Sequence, residues 1–146
     1  MLFCEDNKSI SLAISGYEFP DSPPSSAGDF TNDANWLLVE VRYSENGRTA
    51  SQVDSCLLTS ELSDLYHSLS ALKDRRAGAY MSEFMEPYLK ISVIKADGCC
   101  YAAVRFVYDT SGETWQNWEV CTNVSDHEYQ TLLDELRDAV KCYPAR

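Results

Sequence analysis

Basic residues are scarce in this sequence. Twelve lysines and arginines stand against 23 aspartates and glutamates, a formal charge of -11 at pH 7. Nucleic-acid binding draws on a surplus of Lys and Arg to neutralise phosphates, so this balance argues against nucleic acid as a direct partner. It argues equally against an anionic membrane surface. No apolar run approaches the roughly 20 residues of a membrane-spanning helix. The opening Met1-Leu2-Phe3-Cys4-Glu5-Asp6 turns acidic at once and has no basic stretch, so no secretory signal is expected. Catalytic signatures are missing as well: there is no Gly-x-Ser-x-Gly, no phosphate-cradling glycine loop and no helical metal motif. The histidines, His67 and His127, lie outside zinc-ligand spacing from any cysteine pair. Close carboxylates such as Glu83/Glu86 and Glu113/Glu119 arise by chance among so many acids, and spacing alone defines no cleft. The expectation is a protein that is not an enzyme and has no catalytic, metal or cofactor site.

What is present suits one soluble domain over residues 1–146, since a chain of 146 residues can bury a substantial core. Six cysteines, with no export signal and no C-x-x-C, read as reduced thiols in a cytoplasmic protein. Cys56, Cys100 and Cys121 fall in apolar, strand-like stretches, where a thiol acts as a small hydrophobe.

Alternation of Ile10, Leu12 and Ile14 with small residues predicts a first strand from Ser9 to Gly16. The punctuated stretch Pro20-Asp21-Ser22-Pro23-Pro24-Ser25-Ser26-Ala27-Gly28 then reads as a surface loop. A second strand, Trp36 to Tyr43, leads through Asn46-Gly47 into a third, Val53 to Leu57. A strict two-residue turn there sets Val41 against Gln52 and Val39 against Asp54. One added turn residue instead pairs Val41 with Val53 and Leu37 with Leu57, which burial favours, so a bulge or longer loop is expected. Thr59 or Ser60 should cap a helix bearing Leu62, Leu65, Tyr66, Leu69 and Leu72 and ending by Gly78. Strands at Tyr88–Lys95 and Cys100–Tyr108, joined by Asp97-Gly98, pair Val93 with Ala102, Ile91 with Val104 and Leu89 with Phe106. After a turn near Ser111-Gly112 comes a sixth strand, Trp115 to Cys121. Ser125 and Glu128 then form a capping box before a helix striped with Tyr129, Leu132, Leu133, Leu136 and Val140. The order βββαβββα predicts an α+β fold, an antiparallel sheet of about six strands with two main helices packed on one face. Its core should join Leu62, Leu65, Leu69, Leu132, Leu133 and Leu136 to Leu37, Val39, Ile91, Val93, Val104 and Phe106.

The aromatic residues read as ordinary half-buried sheet positions or, more sharply, as a protein-binding face. On the sixth strand Trp115, Asn117 and Glu119 share a face opposite Gln116, Trp118 and Val120, so one tryptophan should point away from the helices. Tyr101 and Arg105 likewise oppose the buried face of strand five. Exposed aromatics ringed by charge suit protein binding. A small-molecule or carbohydrate module that stacks its ligand on Trp36, Trp115 and Tyr101 is the alternative.

Several stretches, taken in order, resemble the WapI family of bacterial immunity proteins. They are Gly16-Tyr17-Glu18-Phe19-Pro20-Asp21, Asp33-Ala34-Asn35-Trp36-Leu37, Cys56-Leu57-Leu58-Thr59-Ser60-Glu61-Leu62, Phe84-Met85-Glu86-Pro87-Tyr88-Leu89 and the closing Tyr143-Pro144-Ala145-Arg146. The longer Pro/Ser loop at Asp21 to Asp29 and the number of cysteines depart from the pattern. The resemblance implies a cytoplasmic antidote that binds the C-terminal domain, often a nuclease, of a polymorphic toxin delivered by contact. The shared stretches are turns and strand starts, which marks them as determinants of fold. The expected partner is a basic toxin domain, met by Glu113, Trp115 and Glu119 as an aromatic anchor flanked by carboxylates, with no cofactor, nucleic acid or membrane involved. A helix face bearing Asp134, Glu135 and Asp138 is nearly as acidic.

Overall fold

The computed structural model describes residues 1–22, 33–109 and 115–146. Among these, β1 (Leu2–Glu5), β2 (Lys8–Tyr17), β3 (Trp36–Glu45) and β4 (Arg48–Leu58) precede α1 (Thr59–Lys73). Then β5 (Gly78–Met81), β6 (Leu89–Ala96), β7 (Cys99–Asp109) and β8 (Trp115–Asn123) precede α2 (Asp126–Cys142). The strands form two antiparallel four-stranded sheets, β1-β2-β3-β4 and β5-β6-β7-β8, each a meander closed by a helix. This corrects the expected single sheet of six strands. Periodicity tells which face of a strand is buried, but not which strands are neighbours. Helix α1 lifts the chain off the first sheet, so the next strand founds a second one. The two strands missing from the expectation, β1 and β5, are four-residue edge strands, too short for alternation to stand out. A local signal for β1 does exist: Asp6-Asn7 makes its hairpin turn, with Asp6 at φ 45° and Glu5 opposite Lys8.

The core joins both sheets and both helices in one cluster. Every residue expected in it is buried, from Leu37 and Val39 through Leu62, Leu65 and Leu69 to Ile91, Val93, Val104, Phe106, Leu132, Leu133 and Leu136. Stacking of Tyr43 on Trp118, with ring centroids 5.6 Å apart, ties the first sheet to the second. The Tyr129 hydroxyl ties α2 to α1 by donating to the Leu69 carbonyl at 2.8 Å.

The Asp97-Gly98 hairpin has the expected register, Val93 opposite Ala102, Ile91 opposite Val104 and Leu89 opposite Phe106. The Asn46-Gly47 hairpin resolves differently. Both turn residues have positive φ, 51° and 76°, so the turn is tight and sets Val41 against Gln52 and Val39 against Asp54. The extra residue enters at the far end, where a bulge beside Cys56 restores Leu37 opposite Leu57. Turn chemistry and burial thus each govern one end of the strand, and Val53 is left on the outer face, 51% exposed.

Ser125 caps α2 as expected: its Oγ accepts from the Glu128 amide at 3.3 Å, and its own amide donates to Glu128 Oε2 at 2.8 Å. At α1 the cap position is Leu58, one residue earlier than expected. Glu61 covers the open end by accepting from the Leu58 amide at 2.8 Å, which frees the Thr59 hydroxyl for another partner. The Ser111-Gly112 turn, and the Pro/Ser loop from residue 23 onward, lie outside the described residues.

Truncation should separate the two kinds of apolar position. Leu136→Ala should cost about 2–5 kcal/mol in urea unfolding, because Leu136 is fully buried. Val53→Thr should change stability by no more than about 0.5 kcal/mol. Alkaline pH is a second probe. Burial, with Asp54, Glu61 and Glu86 adding to it, pushes the Cys56 thiol from 9.0 to about 12. Burial likewise holds the Tyr80 and Tyr129 hydroxyls at about 12, from 10.0. The folded chain therefore keeps protons that the unfolded chain releases, and stability is full below about pH 9 and falls as pH rises toward 12. Melting temperatures measured from pH 8 to 11 should show a plateau followed by this decline.

Candidate protein-binding face

Strands β6, β7 and β8 turn Val93, Ala102, Val104, Trp118 and Val120 into the core. Their alternate residues line the outer face in rows across the sheet. Ile94, Tyr101 and Asn123 are aligned in one row, Ser92, Ala103 and Cys121 in the next, and Lys90, Arg105 and Glu119 in the third. The first row exposes two large apolar side chains, Ile94 at 50% and Tyr101 at 47%, beside Asn123. The second is made of small side chains. A depression of about 250 Å³ results, lined by Ser92, Ile94, Tyr101, Ala103, Cys121 and Asn123 among others. Met81, opposite Ser92 on the edge strand, is exposed as well.

Of the three residues singled out in the sequence, two can be placed. Trp115 is on this face, 59% exposed and stacked on Tyr88 at 6.0 Å, while Trp118 points inward as expected. Glu119 is exposed and opposite Arg105. The two are four positions apart on β8, about 13 Å, so the face carries both but does not bring them into contact. Glu113 lies outside the described residues. Sequence reasoning missed the row of small residues beside Tyr101; its signal was Ser92 opposite Ala103 in the Asp97-Gly98 hairpin, whereas the place of Cys121 depends on the β7–β8 register. Cys121 corrects an expectation: it shares the outer face with Glu119 and is exposed, not packed as a small hydrophobe. Burial, then Glu119 and Glu5, nevertheless raise its thiol above the usual range. All six cysteines are free thiols, with Cys56 and Cys100 buried.

Charge distinguishes this face from its acidic rival. On α2, Asp134 meets Arg137 at 2.9 Å, Asp138 meets Lys141 at 3.7 Å, and Glu135 meets the Met1 ammonium at 2.8 Å. Lys90, Arg105 and Glu119 make no ion pair within 4.0 Å among the described residues, although they are aligned in one row. The α2 carboxylates are therefore largely neutralised, and the sheet row keeps its charges available.

Other groups come together without making a chemical site. His67 is exposed on α1 and engages the Ser63 carbonyl at 2.8 Å through Nδ1, and His127 is exposed in the first turn of α2. No cluster of three or more His, Cys, Asp or Glu suited to a metal occurs among the described residues. No helix among them is long and apolar enough to cross a membrane. Trp36 belongs to the first sheet and Tyr101 and Trp115 to the second. Tyr101 is level with Asn123, so it sits about 26 Å along the strand from Trp115, and the three rings form no common stacking platform.

The stretches that carry the family pattern do meet, at a structural node. Asn35 is fully buried, and its Oδ1 accepts from the Thr59 hydroxyl at 3.1 Å and from the Arg146 amide at 2.8 Å. Its Nδ2 donates to the Arg146 carbonyl at 3.3 Å. The Arg146 guanidinium lies over the Tyr17 ring at 4.7 Å and donates to the Pro20 carbonyl at 2.7 Å. The Tyr17 hydroxyl donates to the Pro144 carbonyl at 2.7 Å, and that of Tyr143 donates to the Ile14 carbonyl at 3.2 Å. Glu61, besides its own helix end, accepts from the Met85 amide. These stretches are thus fasteners, in keeping with their position at turns and strand starts.

This is an α+β protein of two antiparallel meanders, clamped through its C-terminal residues. The chain belongs to the immunity protein WapI-like family, whose model matches residues 1–144. No curated protein matches the sequence. Among solved structures it is similar in fold to WHY3 from Arabidopsis thaliana, with 12% identity and a TM-score of 0.51 over 96% of this chain and 85% of that one. The plant transcriptional regulator PBF-2 is similar to the same degree, with 13% identity and a TM-score of 0.51 over 96% of this chain and 79% of its own. At such identity the likeness extends to the fold alone.

Asn35→Ala should lower stability by about 1–3 kcal/mol, because it leaves the Thr59 hydroxyl and the Arg146 amide without their buried acceptor. Thr59→Val should cost less, since Asn35 keeps its other partners. Chemical denaturation of the two variants beside the parent checks the order.

Proposed function

We propose that this chain is an immunity protein that binds and neutralises the C-terminal domain of a cognate polymorphic toxin, a nuclease, by contact alone and without catalysis. Family membership over residues 1–144 carries the reading. The physical chemistry agrees with it. A nuclease keeps a basic cleft for its substrate, and a protein of net charge -11 is drawn to such a cleft at long range. The same charge disfavours nucleic acid and anionic membrane as partners. The antidote acts in the cytoplasm, where an incoming nuclease finds its substrate. Trp115 and Glu119 supply an exposed ring and a carboxylate on the outer face of β8. Exposed aromatic platforms do not favour the carbohydrate alternative, since Trp36, Trp115 and Tyr101 do not converge.

Co-expression with the C-terminal domain of the toxin encoded beside this gene tests the reading. Cells carrying both should grow, and cells carrying the toxin domain alone should die. Equal killing with and without this chain refutes the function. Steering gives a finer expectation: the Glu113→Lys, Glu119→Lys double variant should associate roughly tenfold more slowly at low salt, with the difference shrinking as salt is added. Its melting temperature should match the parent's, since Glu119 is exposed and makes no ion pair among the described residues.

A further inference from the structure

We infer that the toxin domain seats on the outer face of the second sheet, with an apolar side chain in the trough between Tyr101 and Arg105. This rests on the immunity function proposed above and assigns it a surface. The trough is the row Ser92, Ala103, Cys121, whose small side chains lie between two rows of longer ones. Rows on one face are about 7 Å apart along a strand and strands about 4.8 Å apart across it. A side chain entering the depression of about 250 Å³ therefore meets Ile94 and Tyr101 on one flank. The charged row, Lys90 and Arg105 on β6 and β7 and Glu119 on β8, is the next one along the strands, just beyond the residues that line the depression.

That row limits what the occupant must present, and the immunity function proposed above supplies the toxin domain as the occupant. Its three charges are exposed and make no ion pair among the described residues, so they are available to a partner. The complementary surface carries an apolar side chain, a carboxylate facing Lys90 and Arg105, and a base facing Glu119. Mixed charge of this kind fixes register, while the net charge of the whole chain governs approach. A nuclease domain of basic surface can present that pattern. A second copy of this chain, also at -11, is repelled by the first.

The chain contains its own reporters. Cys121 lines the trough and Cys99 lies beside Tyr101 on the same strand, and both are exposed. Cys142, at the end of α2, is exposed and far along the chain from this sheet. The experiment alkylates the free protein, and its mixture with the purified C-terminal domain of the adjoining toxin, using a maleimide, and reads each cysteine by peptide mass. Complex formation is followed in parallel by size-exclusion chromatography. Cys121 and Cys99 should label about tenfold more slowly or less in the complex, with Cys142 unchanged, and Ile94→Asp should weaken binding about tenfold or more at an unchanged melting temperature. A complex in which Cys121 and Cys99 label at the free rate places the interface elsewhere and overturns the inference, while the immunity function stands. Absence of any complex overturns both. Protection of Cys121 that grows with this chain's own concentration assigns the face to a second copy and also overturns it. Should Ile94→Asp not fold, the labelling of the unaltered chain still decides.

Discussion

A buried amide with no access to water must find its hydrogen bonds inside the protein, and the way Asn35 finds them organises this fold. Its oxygen holds the start of α1 through Thr59 and the chain's final residues through Arg146. An apolar side chain there would fill space equally well, but it would leave the Arg146 amide and the Thr59 hydroxyl without that acceptor. The requirement is directional, so it fixes one arrangement of β3, α1 and the C-terminal segment. Tyr17 and Tyr143 repeat the fastening in apolar form, edge to face at 5.6 Å, and add two hydroxyl bonds to backbone carbonyls. These contacts gather at the first sheet and the C-terminus. The outer face of β6, β7 and β8 takes no part in them.

Charge is divided along the same lines. On α2, Asp134, Asp138 and Glu135 are paired with Arg137, Lys141 and the Met1 ammonium, where they steady a helix and anchor β1. Exposed pairs of this sort add little stability, but they cancel local field. Lys90, Arg105 and Glu119 have no such partners among the described residues. A chain strongly acidic as a whole thus keeps a locally mixed patch on the outer face of its second sheet.

The sequence was most readable where independent signals agreed. At Asp97-Gly98 the turn residues and the apolar alternation demanded one register, and that register is found. At Asn46-Gly47 they demanded two, and the chain satisfies both by placing a bulge beside Cys56, which no local pattern announces. Inward Trp118 and outward Trp115 followed from the two-residue period, but Cys121 was misjudged because its apolar neighbours masked its parity. The division into two sheets was out of reach, since it depends on where α1 carries the chain. The Asn35 node was equally hidden, its partners Thr59 and Arg146 lying 24 and 111 residues away. Only the family-like stretches hinted that those distant pieces belong together.

The central claim is that fastening and recognition are carried by separate residues. The most direct measurement is a crossed comparison of Asn35→Ala and Arg105→Glu, in which each variant's melting temperature and its dissociation constant for the toxin domain are determined together. The account predicts that Asn35→Ala melts earlier yet binds as the parent does, and that Arg105→Glu melts as the parent does yet binds more weakly. Loss of affinity in Asn35→Ala at a temperature where it is fully folded, or full affinity in Arg105→Glu, would contradict it.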